Sequence, residues 1–372
     1  MKIHRPWSRE EVNALVQCIE AQPSIGYAAQ MYLGLYPDTV RKVHGVRQKA
    51  ADLVKELGLV YGCKPESTLK SRSPFSIQRP PAVSRSIEQL IKDRAEEFGR
   101  KAAHHQAKHD GINITIHEPG PYMLVFFGDP HVDDAGCDID HLAFCLEEVR
   151  GKEHVYAANI GDLTNNWVGK LARLYAYQTT TDDEAEQLME WLIGSIPWLF
   201  IILGNHDKWG PIAGRICREY DVLAVSHGAK FNILQEGSPK RVIDARHTHA
   251  GNSMYNKSHA QLVLNYKGSP ADIIIGGHLH VNAETVAKNG TTQQTAYCCR
   301  VSAFKKYDEY ADANNFEDQA ISPVLAFVID PAHPGIFGIH RFFTIEQGYR
   351  YLMDLRRRNG YEVLESAQHA EA

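Results

Sequence analysis

Residues 199–207 read Leu-Phe-Ile-Ile-Leu-Gly-Asn-His-Asp, an apolar run that stops at a glycine followed by three polar residues. A short continuous apolar run ahead of a turn signal is typical of a strand that is buried on both faces. Four other stretches have a similar pattern, and helical segments separate them. The five predicted strands are residues 122–127, 155–160, 199–203, 242–245 and 272–275. This alternation predicts an α/β fold.

Polar side chains follow each predicted strand within a few residues. The five turns contain Gly128-Asp129-Pro130-His131, Gly161-Asp162, Gly204-Asn205-His206-Asp207, His247-Thr248-His249 and Gly277-His278-Leu279-His280. In open α/β sheets, functional groups collect at the carboxyl ends of the strands. A mixture of carboxylate, imidazole and amide oxygen suits Mn, Fe, Zn or Ni, whereas an all-oxygen site would favour Mg or Ca. The pattern therefore predicts a metal site at these strand ends.

The ordered motifs D-x-H, G-D-x-x-N, G-N-H-D, H and G-H-x-H resemble those of the calcineurin-like metallophosphoesterase family, over roughly residues 120–345. The resemblance implies a two-sheet α/β sandwich flanked by helices, which holds two divalent metal ions. It implies that the first ion is held by Asp129, His131, Asp162 and His280. The second would be held by Asp162 as the bridge, Asn205, His278 and one histidine of the 247/249 pair. We select His247 because it comes first after its strand, and His249 remains the alternative.

The same resemblance implies the chemistry. A hydroxide that bridges the two ions, with Mn expected and Fe, Zn or Ni as alternatives, would attack phosphorus in line with the leaving oxygen. His206 would not bind metal but would act on the leaving group. Asn165 stands where many relatives have an aspartate that pairs with this histidine. An asparagine can orient His206, but it cannot stabilise an imidazolium as a carboxylate would.

The second motif is followed by Asn166, Trp167 and Lys170. These three side chains are predicted to line the rim of the cleft and contact the substrate. The third motif ends in Asp207, where the Ser/Thr protein phosphatases of the family have glutamate, and their extended Asp-Arg-Gly motif is absent. A phosphoprotein substrate is therefore disfavoured.

Residues 1–62 are predicted to form three helices, and Ser8 with Glu11 makes a capping box for the first. With Trp7 opening the first helix, this segment resembles a Myb-like or homeodomain-like helix-turn-helix module. The resemblance implies nucleic-acid contacts on the basic side of the third helix, from Arg41, Lys42, Arg47 and Lys49. The alternative is a docking module with a solvated charged face.

The rest of the chain divides into three further parts. Residues 63–85 are rich in proline, serine and basic side chains, which predicts an extended basic linker. Residues 86–119 contain a connecting helix that Ser86 caps, with an apolar inner face formed by Ile87, Leu90, Ile91, Ala95 and Phe98. Residues 120–372 form the predicted phosphoesterase domain.

Composition excludes several classes of protein. The 372 residues are 44% hydrophobic and 23% charged with a net charge of −5, so the chain as a whole is no polycation and any nucleic-acid affinity must be local. Seven cysteines without a C-x-x-C pair argue against a secreted disulfide framework and a thiolate zinc cluster. Neither a signal peptide nor a membrane span is visible in the sequence. We therefore expect a cytoplasmic protein without a membrane partner.

These observations predict a metal-dependent phosphodiesterase that acts on nucleic acid, and the overall pattern is similar to phosphoesterases carried by phages and other mobile elements. Two alternatives remain open. One is a small-molecule phosphoesterase for cyclic nucleotides, nucleotides or other phosphorylated metabolites. The other is a DNA-binding regulator that uses the phosphoesterase fold as a scaffold, although a scaffold has no need for seven ligands and His206. The sequence does not predict the oligomeric state.

Overall fold

The computed structural model describes residues 6–22, 24–37, 41–59, 85–307 and 321–362. The chain divides into two compact units, Met1–Arg85 and Ser86–Ala372. The predicted linker, residues 63–85, lies outside the described residues except for Arg85. Within the described residues, no helix is both long enough and apolar enough to span a lipid bilayer.

The first unit contains three helices, α1 (Arg9–Ala21), α2 (Ile25–Leu35) and α3 (Val43–Leu57). The capping box of Ser8 and Glu11 is present, because the hydroxyl accepts from the Glu11 amide and the carboxylate accepts from the Ser8 amide. Side chains from all three helices form the core, which comprises Leu15, Cys18, Ile19, Ala28, Ala29, Tyr32, Val46, Ala50 and Leu53. Helix α3 begins at Val43, so Arg41 and Lys42 precede it rather than lying on its exposed face.

The second unit contains twelve described strands. They are β1 (Ile112–Ile116), β2 (Tyr122–Phe127), β3 (Val155–Asn159), β4 (Trp198–Leu203), β5 (Ala224–Ser226), β6 (Gly228–Gln235), β7 (Arg241–Arg246), β8 (Ile273–Gly276), β9 (Ala283–Lys288), β10 (Thr295–Arg300), β11 (Val324–Ile329) and β12 (Ile339–Phe342). The helices are α4 (Ile87–Asp110), α5 (Ile139–Arg150), α6 (Asp182–Gly194), α7 (Ile212–Glu219), α8 (His259–Tyr266) and α9 (Ile345–Arg358).

The strands form two mixed six-stranded sheets. Sheet I has the order β1-β6-β7-β8-β10-β9, and sheet II has the order β12-β11-β2-β3-β4-β5. Strands β2 to β5 run parallel to one another, as do β7, β8 and β10. Antiparallel strands β9, β11 and β12 extend these parallel groups at their edges.

Apolar side chains fill the space between the two sheets, where Phe200 of sheet II stacks on Phe231 of sheet I with ring centroids 3.7 Å apart. The outer face of sheet II is covered by α5, α6, α7 and α9, and α8 covers part of sheet I. The prediction of a two-sheet α/β sandwich flanked by helices is therefore confirmed.

Helix α4 has its predicted position, and the Ser86 hydroxyl accepts from the Gln89 amide at its start. Its predicted inner face is wrong. Ile87, Ile91 and Phe98 are 63%, 64% and 75% exposed. The last turns of α4 make polar contacts to β5 and β6, where the Lys108 ammonium donates to the Ser226 carbonyl and the Asp110 carbonyl accepts from the Asn232 side chain. Sequence periodicity identified an apolar side of the helix but not what that side would pack against.

Candidate metal centre

The predicted ligands lie at the carboxyl ends of two groups of parallel strands, β2, β3 and β4 in sheet II and β7 and β8 in sheet I. Hydrogen bonds join the two groups of turns. The amide of His278, from sheet I, donates to Oδ2 of Asp129, from sheet II, at 2.6 Å. Nδ1 of His247 donates to the carbonyl of Ile160 at 3.0 Å. These contacts bring the two edges together at one centre.

Three side chains converge on Nε2 of His247. This atom lies 2.9 Å from Oδ2 of Asp162, 3.0 Å from Oδ1 of Asn205 and 3.1 Å from Nδ1 of His278. Because Nδ1 of His247 is held by the Ile160 carbonyl, Nε2 is the nitrogen available for a metal. Asp162, His247 and His278 each offer a ligand atom within 4.8 Å of the others. This set corresponds to the second ion of the sequence prediction.

Asp129, His131 and His280 form the adjacent group. Nε2 of His280 is 3.6 Å from Oδ2 of Asp129, and the His131 and His280 rings are 5.1 Å apart. Both ring nitrogens of His131 and Oδ1 of Asp129 are buried and have no hydrogen-bond partner among the described residues. Unsatisfied buried polar atoms are costly, so these atoms fit coordination to a cation.

Backbone conformation at the turns also suits close packing of ligands. His131, Asp162, His278 and His280 all have positive φ, between 46° and 72°. Such values cost free energy for residues other than glycine and are common at functional sites. A Cβ on Gly204 would lie 2.2 Å from Oδ1 of Asp162, and a Cβ on Gly277 would lie 2.3 Å from Oδ1 of Asp129. The two glycines are therefore required for the carboxylates to approach the turns.

Electrostatics of the metal-free centre indicate a deficit of positive charge. Burial raises the pKa of Asp129 to about 7. Burial lowers the pKa of His247, but the Asp162 and Asp129 carboxylates raise it to about 9. Burial also raises the pKa of Asp162, and the neighbouring His247 more than offsets this, so the net shift is downward. In the absence of a metal, a proton on His247 offsets the buried carboxylates, and divalent ions would take over that role.

Asp207 holds two of the turns together. Its buried carboxylate accepts from the amides of Asp162, Leu163 and Gly204 at 2.8 to 2.9 Å. The G-D and G-N-H-D turns are thereby fixed to each other. The sequence showed the aspartate in place of the glutamate found in protein phosphatases, but not this role in linking the turns.

His206 lies beside the ligands. Its backbone amide donates to Oδ1 of Asp162 at 3.0 Å, and its Nε2 is 3.9 Å from Oδ2 of the same residue. The ring packs against Trp209 at 4.2 Å and Trp167 at 5.1 Å between centroids. Burial lowers the pKa of His206. Trp209 was not predicted, although it comes three residues after His206, at the end of the 3-10 turn Asp207–Trp209 that directly follows this histidine.

Asn165 was predicted to orient His206 through its side chain, and the structure shows a different contact between the two residues. The backbone carbonyl of Asn165, not its side chain, accepts from Nδ1 of His206. The carboxamide instead donates to Oδ2 of Asp134 at 2.7 Å. The Lys305 ammonium lies 2.9 Å from the same Asp134 oxygen, and Lys305 is buried. The positive φ of the turn, 40° at Asn166, accompanies this arrangement.

The remaining predicted residues have varied surroundings. Asn166 donates to the His206 carbonyl at 2.9 Å, so its amide group is engaged within the protein. Trp167 contacts His206 and lies beneath the Lys305 ammonium, 5.3 Å from the ring centroid. Lys170 is exposed on the 3-10 helix Gly169–Ala176. His249 is buried near Gln261, with its Nε2 unpartnered among the described residues, whereas His247 is the histidine that contacts Asp162.

The four nucleic-acid candidates of the first unit also differ. The Arg41 guanidinium pairs with the Glu11 carboxylate at 3.0 Å and lies over the Trp7 ring at 4.5 Å. This side chain is therefore occupied within its own unit. Lys42 and Arg47 are exposed, and Lys49 is half-buried.

Residues 122–282 match the family model described as calcineurin-like phosphoesterase. No curated protein matches the chain. Solved structures similar to it include a predicted phosphoesterase from Streptococcus pneumoniae, with 13% identity, coverage of 60% of this chain and 99% of that chain, and a TM-score of 0.30. The calcineurin-like phosphoesterase YfkN from Bacillus subtilis has 11% identity, coverage of 64% and 97%, and a TM-score of 0.35.

The Pseudomonas putida nuclease MPE has 14% identity, coverage of 59% of this chain and 87% of that chain, and a TM-score of 0.28. The similarity to the family rests on the sequence match and not on these structures. The matched residues include every predicted metal ligand and His206. Residues 122–282, less than half of the chain, are thus similar in sequence to the calcineurin-like phosphoesterase family.

Proposed function

We propose that this protein hydrolyses phosphodiester bonds of nucleic acid at a centre that holds two divalent metal ions. The observation that carries the proposal is the convergence of Asp162, Asn205 and His278 on Nε2 of His247, beside the unpartnered buried atoms of Asp129 and His131. Carboxylate, amide and imidazole ligands together suit Mn, Fe, Zn or Ni, and we propose Mn as the resident metal.

Asp129, His131, Asp162 and His280 would hold one ion, and Asp162, Asn205, His247 and His278 the other. Asp162 is suited to the bridging position because it contacts His247 and its charge also acts on His131. When bound, the ions supply an activated water and neutralise charge on the phosphoryl oxygens.

His206 would act on the leaving oxygen. Its Nδ1 proton is committed to the Asn165 carbonyl, so only the protonated ring carries a second N–H, at Nε2, that could be donated to the substrate. Trp167 and Trp209 restrict the ring to one orientation. A carbonyl stabilises an imidazolium less than a carboxylate does, and burial acts in the same direction. His206 would therefore be a comparatively strong acid once protonated.

The first unit would supply affinity for nucleic acid through Lys42, Arg47 and Lys49. Lys42 and Arg47 are exposed. Because the whole chain has a net charge of −5, affinity for nucleic acid has to come from a local group of basic side chains such as this one. Arg41 is not among the proposed contacts, because its guanidinium pairs with Glu11. A cytoplasmic location stays a prediction that rests on the use of cysteine in the sequence.

The test is cleavage of end-labelled single- and double-stranded oligonucleotides by the Mn-loaded protein. Asp162→Ala is the inactive comparison, and Asp140→Ala, at an exposed aspartate of α5, is the matched control. Cleavage that is lost in Asp162→Ala and retained in Asp140→Ala supports the proposal. If metal-loaded protein leaves both oligonucleotides intact but hydrolyses small phosphoesters, the nucleic-acid substrate is wrong and the small-molecule alternative replaces it.

A further inference from the structure

We propose that Lys108, Lys208, His227 and Arg246 form a subsite that binds a phosphate group next to the scissile phosphodiester. We call these four residues the basic subsite. The inference rests on the proposed function, since it names the feature of a polynucleotide that the centre recognises, namely a second phosphate on the same strand.

Hydrogen bonds to backbone carbonyls bring the segments of the basic subsite together. The Lys108 ammonium, at the end of α4, donates to the Ser226 carbonyl at 2.6 Å. The amide of the next residue, His227, donates to the carbonyl of Leu203, the last residue of β4, at 2.9 Å. The His227 carbonyl accepts from the amide of the metal-ligand candidate His247 at 3.1 Å. The turn at His227 is therefore bound to both neighbouring ligand turns.

The other two members come from those ligand turns themselves. Arg246 directly precedes His247, and Lys208 comes two residues after His206. The turn that carries His227 is tight against Arg246, because a Cβ on Gly228 would lie 2.6 Å from the Arg246 Cα. His227 itself has a φ of 62°. The four residues therefore belong to segments that lie directly beside the turns of the metal centre.

The charges of the basic subsite act on one another. Burial lowers the pKa of Lys108, and repulsion from Arg246 and Lys208 lowers it further. Lys108 therefore lies within electrostatic range of Arg246 and Lys208, in agreement with the hydrogen-bond geometry.

The positive charge is only partly compensated. Arg246 pairs with the buried Asp244 carboxylate at 2.7 Å. Lys208 is exposed, and its ammonium has no hydrogen bond or ion pair within the described part of the chain. Gathering like charges costs free energy, which an anion bound between them would offset. A phosphate is the anion that a polynucleotide presents beside the scissile group, whereas a simple diester with uncharged substituents presents none.

The experiment compares two substrates of the Mn-loaded, full-length protein. Bis(p-nitrophenyl) phosphate has a single phosphate, and a short oligothymidylate has several. The oligothymidylate is also added as a competitor during hydrolysis of the chromogenic diester, which gives an inhibition constant whether or not it is cleaved. The variants are Lys208→Ala and, as the matched control, Lys288→Ala on the exposed edge strand β9.

We expect Lys208→Ala to raise the inhibition constant of the oligothymidylate roughly three- to tenfold more than it changes KM for the chromogenic diester. The slope of log inhibition constant against log salt should also become shallower by about 0.7, which corresponds to the loss of one phosphate contact on a single strand. Lys288→Ala should resemble the unsubstituted protein in both measurements.

The experiment distinguishes failure of the basic subsite from failure of the proposed function. Equal inhibition constants for Lys208→Ala and Lys288→Ala would overturn the basic subsite and leave the proposed function standing. An oligothymidylate that competes through Lys208 but is never cleaved would support the subsite and overturn the nuclease function. If the chromogenic diester is not hydrolysed either, fluorescence anisotropy of labelled oligothymidylate on the same variants decides the subsite alone, and equal affinities would overturn it.

Discussion

The backbone carbonyl of Asn165 accepts a hydrogen bond from Nδ1 of His206, and the side chain of Asn165 takes no part in this contact. The orientation of the histidine therefore depends on the path of the chain after Asp162 rather than on the type of side chain at position 165. The asparagine that distinguishes this sequence from many relatives instead belongs to a buried polar network with Asp134 and Gln178.

Replacement of His206 by alanine should lower kcat without loss of metal. The imidazole contributes no predicted ligand atom, and removal of a general acid typically costs between about a hundred- and ten-thousandfold in rate. Steady-state kinetics and metal analysis of the same preparation check both parts. Loss of metal from His206→Ala would contradict the role assigned to this side chain.

Replacement of Asn165 by alanine should affect stability more than catalysis. The carbonyl that orients His206 remains, so kcat and its pH profile should change by less than about threefold. Loss of the buried hydrogen bond to Asp134 should lower the free energy of unfolding by about 1–3 kcal/mol. Thermal denaturation and a pH–rate profile separate the two effects. A rate loss as large as that of His206→Ala would mean that the carboxamide takes part directly.

Replacement of Asp162 by alanine should abolish activity and weaken both ions. The Asp162 carboxylate contacts His247 at 2.9 Å and also accepts the His206 amide, so no neighbouring residue can take its place. We expect activity to fall more than about a hundredfold. Activity and metal analysis, with Asp140→Ala alongside, provide the check; full occupancy of two ions in Asp162→Ala would exclude the bridging role.

Metal binding should release protons between about pH 7 and 9. In the metal-free protein the carboxylates raise the pKa of His247 to about 9, so its ring is protonated in this range. A metal requires the neutral ring, hence affinity should rise roughly tenfold per pH unit as pH approaches 9 and level off above it. Calorimetry of Mn binding in buffers of different ionisation enthalpy counts the protons. Zero release at pH 8 would contradict the pKa shift.

Replacement of Arg41 should lower stability, whereas replacement of Arg47 should lower affinity for nucleic acid. Arg41→Ala removes the ion pair with Glu11 and the contact with Trp7, which should lower the stability of the first unit by about 1 kcal/mol. Arg47→Ala changes an exposed side chain and should lower affinity for nucleic acid without a change in stability. Thermal denaturation and anisotropy distinguish them. An unchanged affinity of Arg47→Ala would favour the docking-module alternative.

The sequence was most informative where a continuous apolar run ends in a polar turn. All five strands predicted on that basis are present, within two residues at either end. Strands β1 and β9 lie at sheet edges and alternate between exposed and more buried positions, so no continuous apolar run marks them. The apolar side of α4 was predicted to be buried and is exposed, because periodicity within one helix carries no information about its neighbours.

Within the site, residue types could be predicted but their contacts could not. The turn motifs identify Asp162, His247 and His278, which the structure brings together. Sequence alone left His247 and His249 as alternatives, and only the packing of sheet I against sheet II separates them, through the Ile160 carbonyl. The same limitation applies to Asn165, since the choice between carbonyl and carboxamide depends on a turn with positive φ at Asn166.

The most direct test of the account is electron paramagnetic resonance of the Mn-loaded protein, because the carboxylate of Asp162 would hold two ions close enough to couple magnetically. We predict the spectrum of a coupled Mn pair, with about two ions bound per chain. In Asp162→Ala the coupled spectrum should be lost. A spectrum of isolated Mn in the unsubstituted protein at full occupancy would contradict the two-ion centre.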